Sequence, residues 1–265
     1  MAELDRRDVV LILASVSHPE HGARLAGVDL AGLDLRGLNL HRVDLRRANL
    51  AACNFSDADL SEARLDGANL KRAILARSTL VAAQGLGTDF SEADLTDARG
   101  AGAILTASEF AGAKLVGADF TEARLAMADF SGANLARVRL DRARLTRTHF
   151  SGANLADASL VQAEVTDANF DGANLARAAF SRAHAQRASF IDALAEWCKF
   201  DEANMSDSVL TRADLRNANL YRALLRGADV RGAQLTGANV GGVQIRDAQV
   251  DPGSFRADQL EEHGR

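Results

Sequence analysis

From Leu25 to Phe255 every fifth residue is apolar or glycine, and the phase is never lost. Of these 47 centre positions, 43 hold Leu, Phe, Val, Ile or Met; the others are Gly85, Gly100, Ala185 and Ala195. Two residues before each centre, the 42 positions from Val43 to Ala248 carry only Ala, Ser, Thr, Cys or Val. The residue just before the centre is often Asp or Asn, as in Asp59-Leu60 and Asn154-Leu155, and the two after it are polar or small, as in Ser131-Gly132. An α-helix would rotate successive centres by about 140° and scatter them around its circumference. A strand would send alternate centres to opposite faces. A chain that turns a corner every five residues buries all of them, with the small residue sharing a narrow interior. Four such sides close a square coil.

A second period supports four sides. Phe90, Phe110, Phe130, Phe150, Phe170 and Phe190 recur every twenty residues, which is one coil, so their rings are expected to stack. Phe120, Phe180 and Phe200 fit an opposite column. About eleven coils spaced at roughly 4.8 Å would form a rod of about 55 Å, stabilised by neighbour-on-neighbour stacking. Residues 1–22 are expected to cap the N-terminal end, with a short helix over 5–16; the repeat runs over 23–252, and 253–265 form a C-terminal cap or tail. Gly85 and Gly100 leave two inward positions empty. The expectation there is a local bulge or a bend, with Leu86 and Ile104 swinging inward to fill the space.

The remaining composition narrows the function. A net charge of −5 disfavours a conventional nucleic-acid binder. No apolar run approaches the roughly 18–20 residues of a membrane span, and Val9–Ala14 follows mixed charges rather than a signal-peptide basic segment, so a cytoplasmic location is expected. Cys53 and Cys198 occupy the small inward position as substitutes for Ala. No phosphate-binding loop, nucleophile elbow or dinucleotide fingerprint occurs. His18 and His21 flank Pro19-Glu20 without a nearby Cys and make a poor metal clamp. The expectation is a protein with no catalytic, cofactor or metal site.

The tandem reading Ala-(Asp/Asn)-(Leu/Phe)-x-x, clearest at 68–70, 118–120, 128–130, 153–155 and 218–220, resembles the pentapeptide repeat proteins. The resemblance implies an all-β fold, a right-handed quadrilateral β-helix. It also implies a non-catalytic protein-binding role. The best-understood members of that family resemble duplex DNA in shape and charge, bind DNA gyrase or topoisomerase IV, and protect it from quinolones or natural toxins. Many other members have no known activity, so a scaffolding role without a topoisomerase stays open. No long loop interrupts this register, so only a loop-free version of the mechanism is implied.

Assigning pentads to faces gives the Phe-column face a net charge of −5, the face preceding it +4, and the other two −1 and 0. Between 88 and 192 the Phe face holds Asp89, Glu92, Glu109, Asp129, Asp171 and Asp192 and no Lys or Arg. This is either an ordinary solvated face or a row of negative charge suited to a basic groove. An apolar cluster of Ile191, Leu194, Trp197 and Val209 occupies outward positions beside the small centre Ala195. Either Leu194 or Trp197 turns inward, or the cluster stays outside as a patch for a partner or a homodimer; an end of the rod is the other dimer surface.

Overall fold

Each five-residue corner is a hydrogen-bonded turn. In the pentad around Phe130, the amide of Ala133 donates to the carbonyl of Phe130 at 3.0 Å, and Gly132 between them has φ +64°. A positive φ at the third residue alone is the signature of a type II turn. The residue two after the centre takes this left-handed conformation along the whole solenoid, at Gly, Arg, Asp and Glu alike.

Between corners the extended segment is long enough for a single bridge residue. The residue before each centre pairs in parallel with those twenty positions away, as in Asp89 with Glu109 and Glu109 with Asp129. Three backbone bonds per pentad then join neighbouring coils: Phe130 N–H to the His149 carbonyl at 2.7 Å, Gly132 to Ser151 at 3.0 Å, and Asn134 to Ala113 at 2.9 Å. The repeat of twenty residues is thus written in the ladders, four pentads to a coil. No strand longer than one bridge forms among the described residues, because a corner arrives every five residues. The chain is shown here as a computed structural model, which describes residues 4–15 and 22–254. Phe255, the proposed tail beyond it, and the His18–His21 pair lie outside the described residues.

Centres and small residues face inward and are buried along nearly the whole solenoid. The six rings from Phe90 to Phe190 form one stack, with centroids 4.5–5.2 Å apart and planes within 9° of parallel. Phe180 and Phe200 stack at 5.2 Å in a second column and meet Phe170 and Phe190 edge to face. Buried hydroxyls at the small position do not go unpaired: Ser78, Thr148 and Ser208 donate to the carbonyls of Leu75, Leu125 and Met205 at 2.7–2.9 Å. Cys53 and Cys198 are buried free thiols. Burial pushes the Cys53 thiol up to about 11, and it raises Cys198 as well.

The two glycine centres are filled differently from the sequence expectation. Leu86 stays 59% exposed and Ile104 36% exposed, so neither swings inward. The Phe120 ring, one coil on, occupies the space at Gly100: a Cβ built there would lie 2.2 Å from Phe120 Cε1. At Gly85 the space is taken by Thr88 and Leu105. The ladder runs through both sites, with Gly85 donating to Ile104 at 2.8 Å and Gly100 to Asp119 at 2.7 Å. A local adjustment does appear at Gly85. There the Ser108 hydroxyl donates to the Gly85 carbonyl at 2.7 Å and accepts from Thr88 N–H at 3.2 Å, bridging the two ends of the turn.

The helix α1 spans Arg6–Ala14, slightly shorter than the sequence pattern suggests. Asp5 caps it in a reciprocal box with Asp8, each side chain accepting the other's amide at 2.9–3.0 Å. Val9 is fully buried, and Leu4, Ile12 and Leu13 pack against the solenoid core. The Arg6 guanidinium donates to the carbonyls of Asp34 and Arg36, which ties the helix to the first coils.

Candidate functional site

The acidic residues of the Phe face fall into two groups. Asp89, Glu109 and Asp129 are consecutive bridge residues of one ladder, followed by His149, so they stand about 4.8 Å apart. Asp89 accepts the Ser91 amide and Asp129 the Ser131 amide, both at 2.8 Å. These turns hold the carboxylates to the backbone without neutralising them. Glu109 is exposed and pairs with no described residue. Asp171 accepts Ile191 N–H from the next coil at 3.0 Å.

The two ends of the stripe behave differently. Glu92 is held by Arg72 at 2.7 Å and Lys71 at 3.3 Å, and Asp192 by a two-pronged contact from Arg212 at 2.6–2.7 Å. Both carboxyls lie below their ordinary range, chiefly through these hydrogen bonds. Four uncompensated acids therefore remain, over about four coil steps or roughly 19 Å. Duplex DNA carries one charge per roughly 1.7 Å, so this row copies its sign rather than its density.

The capture of Glu92 and Asp192 belongs to a wider arrangement that summing charges face by face obscures. Left-handed corner residues twenty apart sit one above the other, and many carry opposite charges. Arg42 pairs with Glu62, Asp57 with Arg77, Asp157 with Arg177, Asp167 with Arg187 and Arg182 with Glu202, all at 2.6–2.8 Å. The alternation of sign at a spacing of twenty is visible in the sequence. These pairs are solvent-exposed, where a single pair is weak and screened by salt, so their effect is cumulative.

Arginine hydrogen bonds hold the folded pKa values of Asp57, Asp157, Asp167 and Asp192 below ordinary, and Asp34, bonded to Arg36, falls to about 2. A depressed folded pKa gives stability that is present above the unfolded pKa and lost as pH falls through the folded one. Urea denaturation should therefore show stability falling from about pH 4 towards pH 2, with the loss reduced in high salt. A flat profile across that interval would count against the pairs.

Leu194 and Trp197 remain 53% and 57% exposed beside the fully inward Ala195, so they do not repack. Ile191 and Val209 are half-buried on the neighbouring face. Trp197 sits at a left-handed corner, φ +60°. Among the described non-glycine corners, only Trp197 and Met127 are large and apolar. Such a residue combines an unfavourable backbone with exposed apolar surface, a combination typical of interaction sites. Met127 is likewise exposed, on the same face as Leu86 and Ile104; sequence reasoning overlooked this second cluster by assigning two of its members to the core. Among the described residues, no group of three or more His, Cys, Asp or Glu is placed to hold a metal, and no helix is long and apolar enough to cross a membrane.

The pentapeptide-repeat family profile matches residues 21–52, 53–84, 87–121, 113–152, 148–184, 188–227 and 213–248. The chain belongs to the pentapeptide repeat family, whose fold is a right-handed β-helix solenoid. It is similar to a trypsin-treated form of QnrB1, a plasmid-mediated fluoroquinolone resistance protein, at 19% identity over 86% of this chain and 92% of that one, with a TM-score of 0.53. It is also similar to HetL, a pentapeptide repeat protein involved in heterocyst differentiation regulation from the cyanobacterium Nostoc, at 27% identity over 92% of this chain and 98% of that one, with a TM-score of 0.35. The first likeness is one of fold. No match was found among curated proteins.

Proposed function

We propose that this protein is a non-catalytic, cytoplasmic protein-binding rod. The observation that carries the reading is the exposure of Leu194 and Trp197 on a solenoid whose interior is filled by its own side chains. A large aromatic held outward at a strained corner is the kind of anchor that dominates interfaces. Ile191 and Val209 extend this surface, and a second copy of the chain is one partner it would suit.

The more specific reading is binding to DNA gyrase or topoisomerase IV, with protection against quinolones or natural-product inhibitors. It is supported by the ladder Asp89–Glu109–Asp129 and by Asp171, on a stretch of face without cations. The fold shared with a fluoroquinolone resistance protein is consistent with it. A scaffolding role without a topoisomerase is favoured by the neutralised ends of the stripe at Glu92 and Asp192.

A gyrase supercoiling assay at micromolar protein, with and without a quinolone, separates the two. The topoisomerase reading expects inhibition, rescue or direct binding, weakened at least tenfold by combining Asp89→Asn, Glu109→Gln, Asp129→Asn and Asp171→Asn. The amide oxygens keep the acceptors of the turn bonds, so the fold is preserved. Absence of all three effects removes the topoisomerase and leaves the binding rod. An effect that survives the quadruple change removes the acidic row as its contact.

A further inference from the structure

Leu86, Ile104 and Met127 lie on one face in three consecutive coils, on the side of the solenoid that precedes the Phe face. Leu86 and Met127 are more than half exposed and Ile104 just over a third. Their positions, one after, one before and two after the centre respectively, place them within about 10 Å of one another, given the roughly 4.8 Å coil spacing and 3.3 Å rise per extended residue. Gly87, Ala107 and Ala126 lie between them and leave the patch low and accessible.

The surroundings are specific in charge. The four pentads of this face at 83–87, 103–107, 123–127 and 143–147 contain no Asp or Glu, and they contain Arg124, Arg144 and Arg147. Ile104, Arg124 and Arg144 are successive residues of one ladder, so two guanidinium groups continue directly from the apolar patch. Arg124 forms no ion pair with a described residue. Arg144 reaches Glu164 only at 3.8 Å. Arg147 stands near Asp167, which Arg187 already holds at 2.7 Å. Most other charged corners are paired along their columns, and this stretch carries net positive charge, bounded on one side by Asp66, which accepts the Leu86 amide at 3.0 Å, and on the other by Glu164.

We infer that Leu86, Ile104 and Met127, with Arg124 and Arg144, form a second docking surface for a short acidic segment of a partner protein, one that places large apolar side chains beside its carboxylates. The apolar trio supplies the buried contact, and the arginines recognise carboxylates in a planar, two-pronged manner. The ladder Asp89–Glu109–Asp129 on the adjoining face, around the corner, repels any anion wide enough to overrun the edge. That disfavours an anionic membrane or a nucleic acid and favours a narrow peptide.

A random peptide library displayed on phage, selected against the folded protein, tests this. The expected consensus sets Asp or Glu beside Leu, Ile or Phe. Synthetic peptides of that consensus should bind the double variant Ile104→Ser, Met127→Gly at least tenfold more weakly, and Arg124→Glu likewise. Glycine suits the left-handed backbone at Met127, and all three side chains point outward, so an unchanged circular dichroism spectrum and melting temperature check that the variants fold. A Lys- or Arg-rich consensus, no enrichment, or affinity unchanged in the variants overturns the inference. Binding of phosphatidylserine vesicles that the selected peptide does not displace overturns it as well.

Discussion

Phe130→Ala should lower the free energy of unfolding by about 3–5 kcal/mol, the range for truncating a buried aromatic ring. The Phe130 ring lies between Phe110 at 4.5 Å and Phe150 at 5.2 Å, so the change removes two stacked contacts together. The walls of the space it leaves are backbone ladders bonded at 2.6–3.0 Å, which cannot collapse to close it. Because each coil touches only its neighbours, the damage falls on two successive interfaces. Urea denaturation should show a lower midpoint and a broadened transition. Phe130→Leu, which places there the residue already present at Leu70 and Leu210 of the same column, should cost less than half as much. A loss below about 1 kcal/mol for the alanine variant would show that the stack is not where the stability resides.

Gly100→Leu should destabilise the protein although it restores the residue type that most centres carry. Overpacking a filled core costs about 1–3 kcal/mol, and the upper end is expected because the new Cβ would sit 2.2 Å from Phe120 Cε1. The companion change Phe120→Leu withdraws the ring from that space. The double variant should therefore be more stable than Gly100→Leu alone, and a double-mutant cycle should give a coupling energy of about 1–3 kcal/mol. Simple additivity of the two changes would mean that the ring does not fill the glycine site.

The fold was legible in the sequence because the five-residue beat leaves one way to bury every centre, and the spacing of twenty among the Phe residues identified the coil. The glycine sites were misread because the nearest apolar residues along the chain, Leu86 and Ile104, looked like natural fillers. The space is filled instead by residues on the next coil, Phe120 and Leu105, and by Thr88 three residues on. A solenoid makes residues twenty apart closer than residues five apart around a corner, and the same fact underlies the corner ion pairs. Arg72 and Glu92, or Asp192 and Arg212, read as unrelated charges until they are compared one coil apart. The orientation of Leu194 and Trp197 was not legible, because a small centre such as Ala195 is compatible with either arrangement.

The ladders that join residue i to residue i+20 also separate two kinds of length change. Loss or gain of twenty residues removes or adds a whole coil and leaves every later side chain on its own face. Loss of five keeps the core in phase, centre on centre, and yet rotates all that follows by a quarter turn. A five-residue deletion after Asp171 would bring Trp197 to the corner now held by Asp192, at the edge of the acidic face. Folding and surface layout thus answer to different arithmetic: the interior counts in fives, and anything that recognises this rod from outside counts in twenties.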